Sequence, residues 1–220
     1  VFTSSNNFVL VYKVLYPKTT VVTINIDKSN LKYGGSVHIS GTVTDSEGNP
    51  HKTGTVTLRT SVAGVEGQSE EDVATVNLAD GKYSYDWTPS AGNHSLTAHW
   101  GGVRGESLPA ASNPVQVLVE AKAVSLTISL SKYNATVGEN VTISLRLSEK
   151  LSNGTLAIRY STDNKNWVNL ATAEPKNGTF DYTWKSAISG TFYVQATYSG
   201  SGNFGPVTSQ VVILYVKPSH

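Results

Sequence analysis

The residues able to do chemistry are few in these 220 residues: five His, sixteen acids and no Cys. Without Cys there is no disulfide, thiolate metal site or thiol nucleophile. His38, His51, His94, His99 and His220 are scattered. His94 and His99, five apart, point to opposite sides of a strand, whereas a metal pair on one strand needs even spacing. Glu70, Glu71 and Asp72 read as a solvated charge run in a loop. Asp163-Asn-Lys-Asn166 has calcium-like oxygen donors but lacks the Gly and closing Glu of an EF-hand loop. It reads instead as the turn of a hairpin from Tyr160 to Leu170. No G-x-S-x-G, P-loop or G-x-G-x-x-G is present. The expectation is no enzyme, no metal and no cofactor.

Five Asn-x-Ser/Thr sequons stand at Asn93, Asn134, Asn140, Asn153 and Asn177. Sixteen Asn, followed two residues on by Ser or Thr about 23% of the time, give roughly four by chance. Placement therefore says more than number. Asn93, Asn153 and Asn177 fall in expected turns, Asn134 in a connection, and Asn140 opens a strand. N-linked glycans are the expected modification.

The composition is that of strands joined by polar turns. Ser (26) and Thr (24) make up nearly a quarter of the chain, beside sixteen Asn and nineteen Gly. Only 15% of residues are charged and the net charge is +1. That balance excludes a strongly basic nucleic-acid surface. The chain opens on Val1, which reads as a processed chain without signal peptide or a twenty-residue membrane span. Scarce charge with no Cys and no Met suits an extracellular, cell-surface setting.

The sequence repeats itself. Thr23-Ile-Asn-Ile-Asp-Lys-Ser-Asn30 returns 104 residues later as Thr127-Ile-Ser-Leu-Ser-Lys-Tyr-Asn134. Gly54-Thr-Val-Thr-Leu-Arg59 returns as Gly154-Thr-Leu-Ala-Ile-Arg159, and Gly81-Lys-Tyr-Ser-Tyr-Asp-Trp87 as Gly178-Thr-Phe-Asp-Tyr-Thr-Trp184. Within each copy, apolar residues alternate with polar ones, as in Tyr83, Tyr85, Trp87 against Lys82, Ser84, Asp86. Turn residues recur every eight to twelve positions. The fold class is all-β: two tandem β-sandwiches, at 18–120 and 121–220, after an N-terminal segment 1–17. Trp87, Trp100, Trp184 and Tyr198 are expected between the sheets.

Gly54-Thr-Val-Thr-Leu and Gly154-Thr-Leu-Ala-Ile resemble the G-T-V-x-F strand of the bacterial immunoglobulin-like domains of cell-surface proteins. Ala91 to Gly102 and Ser189 to Phe204 resemble the same family's A-G-x-Y-x-V-x-A-x-Y-x-G-x-x-x-Y signature. The resemblance implies the sandwich fold and a role as stalk, spacer or adhesin module.

Residues 1–17 do not fit the repeat. Phe8-Val-Leu-Val-Tyr-Lys-Val-Leu-Tyr16 aligns with Ser112 to Glu120, the last strand before the second copy. It is apolar on both faces: Phe8, Leu10, Tyr12, Val14 and Tyr16 on one, Val9, Val11 and Leu15 with Lys13 on the other. Extended, it spans about 30 Å at roughly 3.3 Å per residue. Five inward side chains at about 1.5–3 kcal/mol each give roughly 8–15 kcal/mol, and ordering nine residues costs about 1–2 kcal/mol apiece. One buried face therefore only breaks even, so both faces and the backbone need partners. At the other end Val211, Val212, Ile213, Leu214 and Val216 are also apolar on both faces, with Tyr215 between them.

Such a pair of termini suggests head-to-tail strand addition between copies. The arrangement resembles donor-strand-complemented surface pili, and among those the archaeal thread filament. The resemblance implies an N-glycosylated extracellular filament whose segment Phe8 to Tyr16 enters a neighbour. Both domains own a terminal strand, so the sequence shows no acceptor groove; the neighbour's second domain is the expected acceptor and its first domain the alternative. Pilin-like domains also form Lys–Asn isopeptide bonds, and Lys28/Asn30 and Lys132/Asn134 recur, but the sequence shows no buried acid beside them. The alternative is a monomeric stalk or carbohydrate-binding module with segment 8–16 packed on its own domain. The expected partners are copies of the chain and N-linked glycans, with no nucleic acid.

Overall fold

The computed structural model describes residues 16–62 and 69–219. They are all-β, without helix, and the chain divides near Leu118 into two compact units.

In the first domain the strands are β1 (Thr20–Val22), β2 (Asn25–Ile26), β3 (Asn30–Lys32), β4 (Val37–Asp45) and β5 (Thr55–Val62). They continue as β6 (Glu71–Asn77), β7 (Lys82–Trp87), β8 (Gly92–Trp100), β9 (Ala110–Ala111) and β10 (Val115–Glu120). One sheet places β1 and β2 along one side of β4 and β7 along the other. The facing sheet runs β3-β10-β8-β5-β6. Strict alternation makes β4 the centre of the core: Val37, Ile39 and Val43 are fully buried while His38 faces solvent.

Gly41 lies opposite Tyr83 across the β4–β7 pair. The Tyr83 ring crosses it, and the Tyr83 hydroxyl donates to Thr23 O at 2.6 Å. A Cβ at position 41 would sit 2.1 Å from that oxygen, so only Gly admits the ring. The second domain has Leu145 facing Phe180 there, a larger residue against a ring with no hydroxyl to place. The repeated Gly-Thr motif has a comparable cause. Gly54, at φ +130°, lies under the Trp100 ring, where a Cβ would come to 2.3 Å, and Gly154, at φ +81°, lies under Tyr198.

The second domain repeats the plan with β11 (Leu126–Leu130), β12 (Asn134–Thr136), β13 (Asn140–Leu147), β14 (Leu156–Ser161) and β15 (Val168–Ala173). It closes with β16 (Thr179–Lys185), β17 (Gly190–Tyr198), β18 (Val207–Thr208) and β19 (Val212–Lys217). The sheet β11-β13-β16 faces β12-β19-β17-β14-β15. Ile143, Leu145, Leu156, Ile158 and Val194 are fully buried. Phe192 meets Trp184 edge-on at 5.1 Å and Tyr160 at 5.9 Å. Trp100, Trp184 and Tyr198 are buried and Trp87 is half-buried against the core, as the aromatic alternation implied.

Three local expectations change. Asn93 lies within β8 rather than in a turn, because Gly92 at φ +138° turns the chain in one residue. Asn134 opens β12, which pairs parallel with β19 and not in a connection. Glu71 and Asp72 open β6 instead of lying in a loop, with Asp72 opposite Arg59 and Arg59 Nε donating to its Oδ1 at 2.9 Å.

Candidate functional site

Among the described residues no three His, Asp or Glu gather in a way that could hold a metal ion. His38 Nδ1 lies 2.7 Å from Asp86 Oδ1 at the surface, His51 stacks on Trp100, and His99 Nε2 lies 3.4 Å from Glu70 Oε2. His94 is buried in β8 with its ring edge-on to Trp87, on the face opposite His99. Asp163 sits in the β14–β15 hairpin turn. There its carboxylate accepts bonds from the backbone N–H of Lys165 and Asn166 and from the Asn166 amide, which holds its pKa well below the usual range. Lys28 pairs with its neighbour Asp27, and Lys132 pairs with Glu139.

A different pair of residues is built identically in both domains. Lys18 forms a parallel bridge with Ser107: its N–H donates to Glu106 O at 2.9 Å, and Leu108 N–H donates to its carbonyl at 2.9 Å. Its ammonium donates to Asp45 Oδ2 at 3.0 Å and Glu47 Oε2 at 3.1 Å. Asp45 is 8% exposed and also accepts the backbone N–H of Glu47 and Asn49 and the Asn49 side-chain amide. The Asn49 amide first, then Lys18, holds the Asp45 carboxyl well below the carboxylate range, and Asp45 and Glu47 raise the Lys18 ammonium.

One repeat later Lys122 forms the same parallel bridge with Phe204, its N–H donating to Asn203 O at 2.8 Å. Its ammonium lies 2.7 Å from Glu149 Oε1 and 5.9 Å from the centre of the Phe204 ring. Each lysine thus clamps the start of its domain to the loop before the last strand and to an acid at or just beyond the end of a central strand, Asp45 at the end of β4 and Glu149 just after β13. Sequence reasoning passed over this clamp. The signal was there, since Lys18 and Lys122, and Asp45 and Glu149, stand 104 residues apart like the recognised motifs.

The expected strand residues Phe8, Val9, Leu10, Val11, Tyr12, Val14 and Leu15 lie outside the described residues; Tyr16 is described and is 83% exposed. Val212 to Val216 lie in β19, which pairs antiparallel with β17 and parallel with β12, so both its edges are occupied. Leu214 and Val216 are buried and Val212 packs against the same core, whereas Tyr215 is 48% exposed on the outer face beside half-buried Ile213. Val211 precedes the strand and is half-buried. All five sequon asparagines are exposed. Asn153 and Asn177 occupy turns, the latter at φ +52°, and Asn140 opens β13.

What remains open to a partner is therefore edges and faces of sheets. Two domains with this signature, at residues 24–120 and 127–217, match the bacterial Ig-like domain (group 3) family profile. The chain belongs to that family. No curated protein matched it by sequence. Among solved structures, these Ig-like domains are similar to the tetra-tandem repeat in the extending region of a large adhesion protein. That match has 18% identity and a TM-score of 0.54 over 89% of this chain and 50% of the other. Weaker likenesses are the Yersinia pseudotuberculosis adhesin InvE (15% identity, TM-score 0.47, 89% of this chain, 58% of that) and the Escherichia coli adhesin FdeC. For FdeC the values are 17% identity and TM-score 0.38 over 89% of this chain and 64% of that. The chain spans about half to two thirds of the length of these structures. Identities this low report the fold, and an Ig-like fold by itself selects no activity.

Proposed function

We propose that this two-domain Ig-like chain is a structural, non-enzymatic subunit of an extracellular filament of the thread type. Segment Phe8 to Tyr16 joins copies head to tail by strand addition, and several sequons carry N-linked glycans. The observation that supports this reading is the repeated clamp. Lys122 directly follows the last strand of a sandwich, β10, and Lys18 reproduces its bridge and its ion pair. In the sequence repeat segment 8–16 precedes Lys18 as β10 precedes Lys122, while both described sandwiches already contain their own last strands, β10 and β19. A segment apolar on both faces is suited to strand addition onto a second copy. Deleting residues 1–17 tests this: the filament reading expects soluble monomers with both sandwiches folded.

A second reading is a spacer module of an adhesive stalk, favoured by the likeness to the extending-region repeat. It expects the same deletion to change stability and leave the oligomeric state as it was.

A further inference from the structure

The two sheets of the second domain differ in width. Three strands, β11-β13-β16, face five, β12-β19-β17-β14-β15. β16 bonds to β13 along all seven of its residues, and among the described residues no strand lies along its other edge. Its core-facing Phe180 and Tyr182 are only half-buried, in contrast to Trp184. In the facing sheet the outermost strand is β15. Val168 pairs with core-packed Tyr160 yet is 52% exposed, and Leu170 is half-buried beside it. These incompletely covered apolar side chains at the ends of the two facing sheets form an apolar shelf, with the open row of backbone hydrogen-bonding groups on β16.

The other edges are less suitable. β3 and β12 have three residues each, β1 and β2 are interrupted, and β11 has its Leu126, Ile128 and Leu130 already buried. β6 and β15 are broken by bulges. The first domain's β7 is the counterpart of β16 and also carries a partly exposed ring, Tyr85, but the pair facing it is polar. Thr60 and Glu71 stand where the second domain has Tyr160 and Val168. The same edge borders a groove of about 520 Å3 lined by Asn77, Lys82 and Ser84 as well as Tyr83.

We infer that the free edge of β16 and the shelf beside it receive segment Phe8 to Tyr16 of a second copy as a fourth strand of the narrower sheet. This rests on the filament reading and specifies its acceptor. Nine extended residues, about 30 Å, span the roughly 23 Å of a seven-residue strand. The face bearing Phe8, Leu10, Tyr12 and Val14 covers Val168, Leu170, Phe180 and Tyr182. The other face brings Lys13 to the outer side of the sheet, where β16 presents Asp181, already paired with Arg146 of β13.

The cysteine-free chain permits a direct test. Full-length copies carrying only Lys13→Cys are mixed with copies carrying only Thr183→Cys on β16, Ser84→Cys on β7 or Ser129→Cys on β11. All four sites are polar; the three acceptor positions face solvent. A short bismaleimide is added and junction peptides are identified by mass spectrometry. The inference expects the 13–183 link between copies and its loss when Leu10→Asp is added to the donor. Filaments that link 13 to 84 or 129 overturn the β16 assignment and leave strand addition standing. No link to any of the three, with the mixture monomeric, overturns the filament reading itself.

Discussion

Lys18 Nζ lies 3.0 Å from Asp45 Oδ2, and 104 residues later Lys122 Nζ lies 2.7 Å from Glu149 Oε1. The two pairs fasten the same points of the two sandwiches. They differ in depth, because Asp45 also organises the turn through Glu47 and Asn49, whereas in the second pair it is the Lys122 ammonium that gains a further contact, the Phe204 ring. Asp45→Ala should therefore lower the first domain's urea midpoint more than Lys18→Ala does. The lysine is half exposed, and an exposed pair by itself contributes little. Equal losses would show that the turn does not depend on the carboxylate.

Acid should destabilise both domains. Asp45 (through the Asn49 amide), Asp163 (through the Asn166 backbone), Asp181 (through Arg146) and Glu139 (through Lys132) all have carboxyls held below their ordinary range. A carboxylate with a depressed folded pKa contributes stability that is complete above its unfolded value, about 4, and is lost as pH falls through the folded value. Lys18, raised when folded, contributes fully below about 10.4 and loses that contribution at higher pH. Urea midpoints should thus be level from pH 7 to about 5 and fall below about 4. Asp163→Asn should flatten the second domain's fall and leave the first domain's unchanged.

Phe192→Ala should cost the second domain about 3–5 kcal/mol, because the ring is 1% exposed and fills the space between Trp184 and Tyr160. Denaturant unfolding followed by tryptophan emission checks it. Loss under about 1 kcal/mol would mean that the core collapses onto the gap.

Gly41→Val should prevent the first domain from closing, since its Cβ would overlap Thr23 O and the Tyr83 hydroxyl. Gly41→Val with Tyr83→Phe should recover little, because the backbone oxygen remains. Circular dichroism and the melting curve of each variant decide this. A native-like double variant would assign the constraint to the hydroxyl alone.

The sandwich fold was readable because the aromatic alternation of Lys82 to Trp87 and its repeat at Thr179 to Lys185 are periodic over a whole strand. Gly54 and Gly154 carried the family resemblance for a physical reason, the ring packed on each. Other features were less legible. Asn93 looked like a turn residue because a single positive-φ Gly can start a strand without the usual polar cluster. Glu71 and Asp72 looked like loop because the charge run is balanced by Arg59 on another strand, paired with Glu70 and Asp72, which sequence adjacency does not display. The lysine clamp joins residues 27 to 89 apart, and the β16 shelf exists only through the unequal width of two sheets.

The central claim, that segment 8–16 is held by a second copy, is tested most directly by negative-stain electron microscopy of the intact chain beside Leu10→Asp. Long unbranched fibres from the first and isolated two-domain particles from the second are expected. Isolated particles from both, at every concentration tried, would contradict it.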